Sequence, residues 1–202
     1  IGDYGRFSAT YRYSDLSDVI PRRPVEFMSG KNKLQGYVYG DGGKGLVVLA
    51  HGIGSGHENY LDVVRYFAEN DWTVFAYDCT GSCESEGDGT LGLPQSALDL
   101  DCALTYIEND PELSAMKKCL IGHSWGGYAV TAVLNFDHDV SAVASFSGYA
   151  VPIDEMVEFA QGMMGKKAAL LRPFIYADMF VRFGRYTGMT AIDGINRTDI
   201  PI

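Results

Sequence analysis

The apolar positions of the chain change rhythm several times, and each change marks an element. Val25–Met28 and Leu34–Tyr39 read as the arms of a hairpin joined by Ser29-Gly30-Lys31-Asn32, because Leu34, Gly36 and Val38 alternate with Gln35, Tyr37 and Tyr39. Beyond the turn-rich connector Gly40–Gly45, alternation gives way to short continuous apolar runs at Leu46–Ala50, Thr73–Tyr77, Cys119–Gly122 and Val140–Phe146. Such runs suit strands covered on both faces. Between them the spacing becomes helical. Tyr60–Asn70 places Tyr60, Val64, Phe67 and Ala68 on one side. A second helix opens at Pro94, carries Ala97, Leu100, Leu104 and Ile107, and stops at Asp110-Pro111. Strands alternating with helices predict an α/β chain with a mainly parallel sheet, helices on both faces and an antiparallel hairpin at the N-terminal side.

The alternation breaks at Ile153–Arg185. This stretch is helical in pattern and rich in large apolar residues, among them Met156, Phe159, Met163, Phe174 and Phe180, with Gly165 and Pro173 dividing it. It reads as an inserted helical cap. Asp199-Ile200-Pro201-Ile202 resembles the first residues of another strand. The expected division is a core over 1–150, a cap over 151–190 and the start of a further core strand over 191–202.

One box carries candidate chemistry. Gly122-His123-Ser124-Trp125-Gly126 has the form G-x-S-x-G, follows the apolar run Cys119-Leu120-Ile121 and precedes the small-residue stretch Gly127–Leu134. Strand, tight turn and helix are the context of a nucleophile elbow, which lifts a strained serine above the sheet. Glycines at 122 and 126 fit a place where strand and helix close on each other.

Composition narrows the partners. A net charge of −10 disfavours nucleic acid and anionic membranes, and no apolar run is long enough for a transmembrane helix. Cys79, Cys83, Cys102 and Cys119 show no zinc-site spacing and read as free thiols of a reducing, cytoplasmic setting. No metal or other cofactor is expected.

The pieces Leu49-Ala50-His51-Gly52-Ile53-Gly54-Ser55, Ala76–Gly87 and Gly122–Gly127, in that order, resemble the α/β-hydrolase superfamily, most closely the serine-aminopeptidase-type and monoacylglycerol-lipase-like hydrolases. The resemblance implies that Ser124 is the nucleophile, with the backbone N–H groups of Trp125 and Ile53 as the oxyanion hole and His51, Gly52, Gly122, His123 and Gly126 as motif residues. Two fixed N–H donors stabilise the charge that acyl transfer places on the carbonyl oxygen. The likeness departs at Cys83, where the family's Gly-x-Gly loop has its second glycine.

In this fold the triad runs Ser, Asp or Glu, then His, and the acid and histidine are expected beyond residue 202, which makes this chain as given an incomplete enzyme. His138 reads as a solvated turn residue, His57 as a polar helix start, and His51 and His123 as packing or hydrogen-bonding residues. Asp78 is expected to bond loop backbone. Asp154 has no histidine to orient. The resulting expectation is a serine hydrolase acting on an ester, thioester or amide of a small to medium acyl substrate. The alternatives are an aminopeptidase, with Glu155 and Glu158 as candidate amine-binding groups, and a non-catalytic scaffold that binds an apolar ligand or a protein.

Overall fold

A computed structural model describes residues 12–202, so the first eleven residues of the expected core lie outside the described residues. A hairpin opens the sheet: β1 (Arg22–Ser29) and β2 (Asn32–Tyr39) pair antiparallel, with Ser29 opposite Asn32. The turn is tighter than its sequence suggests. Only Gly30 and Lys31 lie between the strands, and Gly30 has φ +57°, the positive angle that such a two-residue turn needs at its first position.

The remaining strands are β3 (Leu46–Ala50), β4 (Thr73–Tyr77), β5 (Lys118–His123) and β6 (Ala142–Phe146). The sheet order is β1-β2-β4-β3-β5-β6, with β2 antiparallel to β4 and the last four strands mutually parallel. This is the mixed, mostly parallel sheet of the α/β-hydrolase fold.

Every residue of β3 and β4 is buried, and their side chains divide by face. Leu46, Val48, Phe75 and Tyr77 join a core with Leu100, Leu104 and Ile107 of α2 (Gln95–Asn109) and Trp125, Ala129 and Val130 of α3 (Trp125–Ala132). Val47, Leu49, Val74 and Ala76 face Leu61 and Val64 of α1 (Leu61–Glu69). Each fully buried Leu, Val or Phe contributes about 1.5–3 kcal/mol.

Two runs read as doubly buried are not. Alternate residues of β5 are half-buried, and in β6 Ser145 and Phe146 are exposed. α1 packs over β4, so the face it covers thins out towards β5. β6 is paired along one side only, apart from the Val143 N–H donating to the Pro201 carbonyl at 3.0 Å.

After β6 come α4 (Pro152–Met164), a 3-10 turn (Lys166–Leu171), α5 (Arg172–Phe183), a second 3-10 turn (Gly184–Gly188) and α6 (Ala191–Ile195). Gly165, at φ +81°, ends α4, and Pro173 sits in the first turn of α5. Ile153, Val157, Met179 and Phe183 anchor α4 and α5 against Leu98 and Val151. Residues 191–195 are helical rather than part of a strand. Thr190 caps that turn by accepting the Asp193 N–H, and Gly194 sits so close to α3 that a Cβ would stand 2.1 Å from the Thr131 carbonyl oxygen.

Candidate active site

The chain leaves β5 through Ser124 and enters α3 at once. Ser124 has φ +54° and ψ −112°, outside the regions a side chain tolerates easily. Its N–H donates to the Phe146 carbonyl at 2.8 Å, and its carbonyl accepts the Tyr128 N–H at 3.1 Å. The backbone is therefore held from β6 and from α3 at once. The half-exposed side chain carries no hydrogen bond between its hydroxyl and any described residue.

Two close approaches enforce this bend. A Cβ on Gly122 would stand 2.1 Å from the Gly126 carbonyl oxygen, and one on Gly126 would stand 2.0 Å from that of Ala50. The second contact presses the start of α3 against the end of β3, where the loop with His51, Gly52 and Ile53 begins. Trp125 is fully buried, and its indole N–H donates to the Leu93 carbonyl at 2.8 Å, pinning the first turn of α3.

That loop is held by its own histidine. His51 is buried and accepts the Cys79 N–H on Nε2 at 2.9 Å, so its proton lies on Nδ1 and is donated to the Gly52 carbonyl at 2.8 Å. Burial keeps this imidazole below the usual histidine pKa. Ser55 adds its hydroxyl (2.6 Å) and its N–H (3.3 Å) to the same carbonyl. In a planar trans peptide the N–H points opposite the carbonyl. Three donors on the Gly52 oxygen thus turn the Ile53 N–H the other way, and it meets no acceptor among the described residues. The Trp125 N–H likewise has none, as the first N–H groups of a helix have no partner within it.

The other histidines are engaged elsewhere. His57, read as a polar helix start, opens a 3-10 turn but is buried. Its N–H and Nδ1 both reach Asp78 Oδ1 at 2.8 Å, and its Nε2 is buried without a partner. Asp78 also accepts the Glu84 N–H at 3.2 Å. Burial disfavours the Asp78 charge, but the His57 bonds outweigh it and hold the carboxyl below its usual pKa.

His138 is not a solvated turn residue. Its ring lies between Asp101 (2.9 Å) and Glu108 (3.0 Å) of α2, and these carboxylates raise its pKa against a partial loss of solvent. His123 is exposed, and its Nδ1 meets the Tyr60 hydroxyl at 2.8 Å. Asp154 is exposed and pairs with Arg172, while Glu155 and Glu158 are exposed on α4.

Cys83, where the likeness departs, has φ +41° and so keeps the left-handed backbone a glycine would supply. Although the residue is exposed, its thiol is pushed up to about 11 by partial desolvation and by the Asp78, Glu84 and Glu58 carboxylates, and the four cysteines are free thiols.

Sequence reasoning missed Asp99. This buried carboxylate accepts from Ser29 Oγ (2.6 Å), the Thr80 N–H (2.7 Å), Thr80 Oγ1 (2.8 Å) and Gln95 Nε2 (2.7 Å), tying β1, the loop after β4 and α2 together. The available signal was Gln95 and Asp99 one helical turn apart among apolar residues of α2. Tyr60, read only as packing, was missed too.

The family model of serine aminopeptidase, S33, matches residues 42–184, from before β3 to the end of α5. The chain belongs to this family, within the α/β-hydrolase superfamily. A polyketide transferase of Gibberella fujikuroi is 27% identical over 128 residues, which cover 61% of this chain and 40% of that protein. Mouse epoxide hydrolase 4 is 33% identical over 89 residues, 44% of this chain and 23% of that one. The chain thus spans less than half the length of the curated relatives it matches. The solved esterase Pf2001 of Pyrococcus furiosus superposes with a TM-score of 0.69 at 22% identity, over 97% of this chain and 73% of its own, a likeness of fold. No helix among the described residues is long and apolar enough to cross a membrane.

Proposed function

We propose that this S33-family protein is a serine hydrolase that cleaves an ester, thioester or amide of a small to medium acyl substrate through an acyl-enzyme on Ser124. One observation carries the reading: a hydroxyl on a strained turn that has no partner among the described residues, in a loop cluster where the Ile53 and Trp125 N–H groups also meet no acceptor among them. Ser124 Oγ attacks the carbonyl carbon while a general base takes its proton. The two N–H groups receive the negative charge on the carbonyl oxygen, the proton passes to the leaving group, and water then releases the acyl group. Each such donor contributes roughly 3–4 kcal/mol to the barrier reduction.

The reading places the base and its orienting carboxylate outside residues 1–202. In support, each of the four histidines is already bonded to Gly52 and Cys79, to Asp78, to Tyr60, or to Asp101 and Glu108. Residues 151–190 are read as a cap over the elbow, supported by Phe183 packing against Gly92 in the loop that also holds Trp125. Its apolar character favours acyl esters over peptides, and Glu155 and Glu158, the candidate amine-binding groups, stand exposed on α4. The test is hydrolysis of p-nitrophenyl esters beside aminoacyl-anilides by the full-length protein and its Ser124→Ala variant. Ester turnover abolished in the variant supports the reading. Equal turnover by both proteins overturns it, and faster anilide cleavage overturns the ester preference.

A further inference from the structure

The Tyr60 hydroxyl joins the two halves of the candidate site. It accepts the Gly52 N–H at 3.0 Å and meets His123 Nδ1 at 2.8 Å. Gly52 precedes Ile53, and His123 precedes Ser124. The three groups are in close contact, since a Cβ on Gly52 would stand 3.0 Å from the Tyr60 hydroxyl and 3.3 Å from His123 Nδ1. A hydroxyl has one proton to give and lone pairs to receive. With the Gly52 N–H donating into it, the hydroxyl keeps its own proton and a second lone pair, so it can bond His123 Nδ1 in either tautomer of the ring.

The loop is thereby clamped through two successive peptide planes. The His51–Gly52 plane is held by Tyr60 through the Gly52 N–H. The Gly52–Ile53 plane is held by His51 and Ser55 through the Gly52 carbonyl. His51 and Ser55 are local to the loop. Tyr60 adds a side-chain hydrogen-bond link from Gly52 across to His123, beside the backbone contact of Gly126 with Ala50, and the 3-10 turn His57–Tyr60, anchored on Asp78, holds it in place.

We propose that Tyr60 is a positioning residue that sets the separation between the Ile53 N–H and Ser124 through the hydrogen-bond chain Gly52–Tyr60–His123. The proposal rests on Ser124 as nucleophile and Ile53 as oxyanion donor. Such a chain acts on the oxyanion, which forms during reaction, and hardly at all on the bound ground state. Its loss therefore lowers kcat and leaves KM unchanged.

The experiment compares Tyr60→Phe, His123→Leu, His123→Asn and the Tyr60→Phe/His123→Leu pair in the full-length protein, using p-nitrophenyl ester turnover and thermal unfolding. Tyr60→Phe keeps the ring and its packing, so the expected result is kcat lower on the order of tenfold, with KM within about twofold and unfolding little changed. The double variant should be no slower than the worse single one, because both cut one chain. His123→Asn, whose amide can accept from or donate to the Tyr60 hydroxyl, should recover part of the loss seen in His123→Leu. Wild-type kcat in Tyr60→Phe, or multiplying losses in the double variant, overturns the proposal. Ser124→Ala run alongside separates the failures. If it is inactive while Tyr60→Phe is unimpaired, only the positioning role falls; if it is as active as wild type, the underlying reading falls as well.

Discussion

Gly126 and Ala50 meet so closely that a single added methyl group at residue 126 would stand 2.0 Å from the Ala50 carbonyl oxygen. Both sides of the contact are backbone, so no side chain can rotate away. Gly126→Ala must separate α3 from β3 and should destabilise the protein by about 2–3 kcal/mol, read as a lower urea midpoint at unchanged slope. Gly162→Ala is the control, because its added methyl meets nothing within 4 Å, and helix propensity favours it.

Ser124 itself should reveal the backbone cost of the elbow. At φ +54° and ψ −112° the residue sits where glycine is more comfortable. Ser124→Gly relieves that strain and should raise stability by about 1 kcal/mol after glycine's own entropic cost, while removing the hydroxyl. Thermal unfolding checks this, and a lower melting temperature would count against a strained native serine.

Asp99 has four donors aimed at it. Asp99→Asn keeps the shape but points an amide N–H₂ at groups that are already donors. The expected cost is about 2 kcal/mol or more, accompanied by faster amide exchange at Thr80 in the loop after β4. Unchanged exchange there would show that the loop is held by other contacts.

Two histidines pull stability in opposite directions with pH. His138 is raised above the ordinary value of 6.5 by Asp101 and Glu108, so its contribution is fully present below 6.5 and is lost as pH rises through its folded value. His51 is lowered by burial, so its contribution is present above 6.5 and is lost as pH falls towards its folded value. His138→Gln should therefore flatten the fall in stability on the alkaline side of 6.5 and lower stability on the acid side by the contribution it removes, with the pH slope there unchanged. Denaturant titrations at a series of pH values provide the check.

Much of this was legible in the chain. Leu46–Ala50 is apolar at every position and Thr73–Tyr77 at all but Thr73, whose hydroxyl bonds the Gly42 carbonyl, and the structure buries all of their residues. The box at 122–126 announced its turn because only glycine fits at its ends. What could not be read is contact made at long range in sequence. Tyr60 lies in a helical apolar pattern, and nothing local shows that its hydroxyl meets a residue 63 positions away. His138 looked solvated in Asp137-His138-Asp139 because its carboxylate partners come from α2. The exposure of β6 was equally hidden, since Val143 and Ala144 read as core whichever neighbours the strand has.

Ser124 is proposed as the nucleophile. This role is tested most directly by treating the full-length protein with a fluorophosphonate probe and mapping the adduct by peptide mass spectrometry. The account predicts one phosphonyl group on the peptide containing Ser124, and none in Ser124→Ala. Modification elsewhere, or none in the wild-type protein, would contradict it.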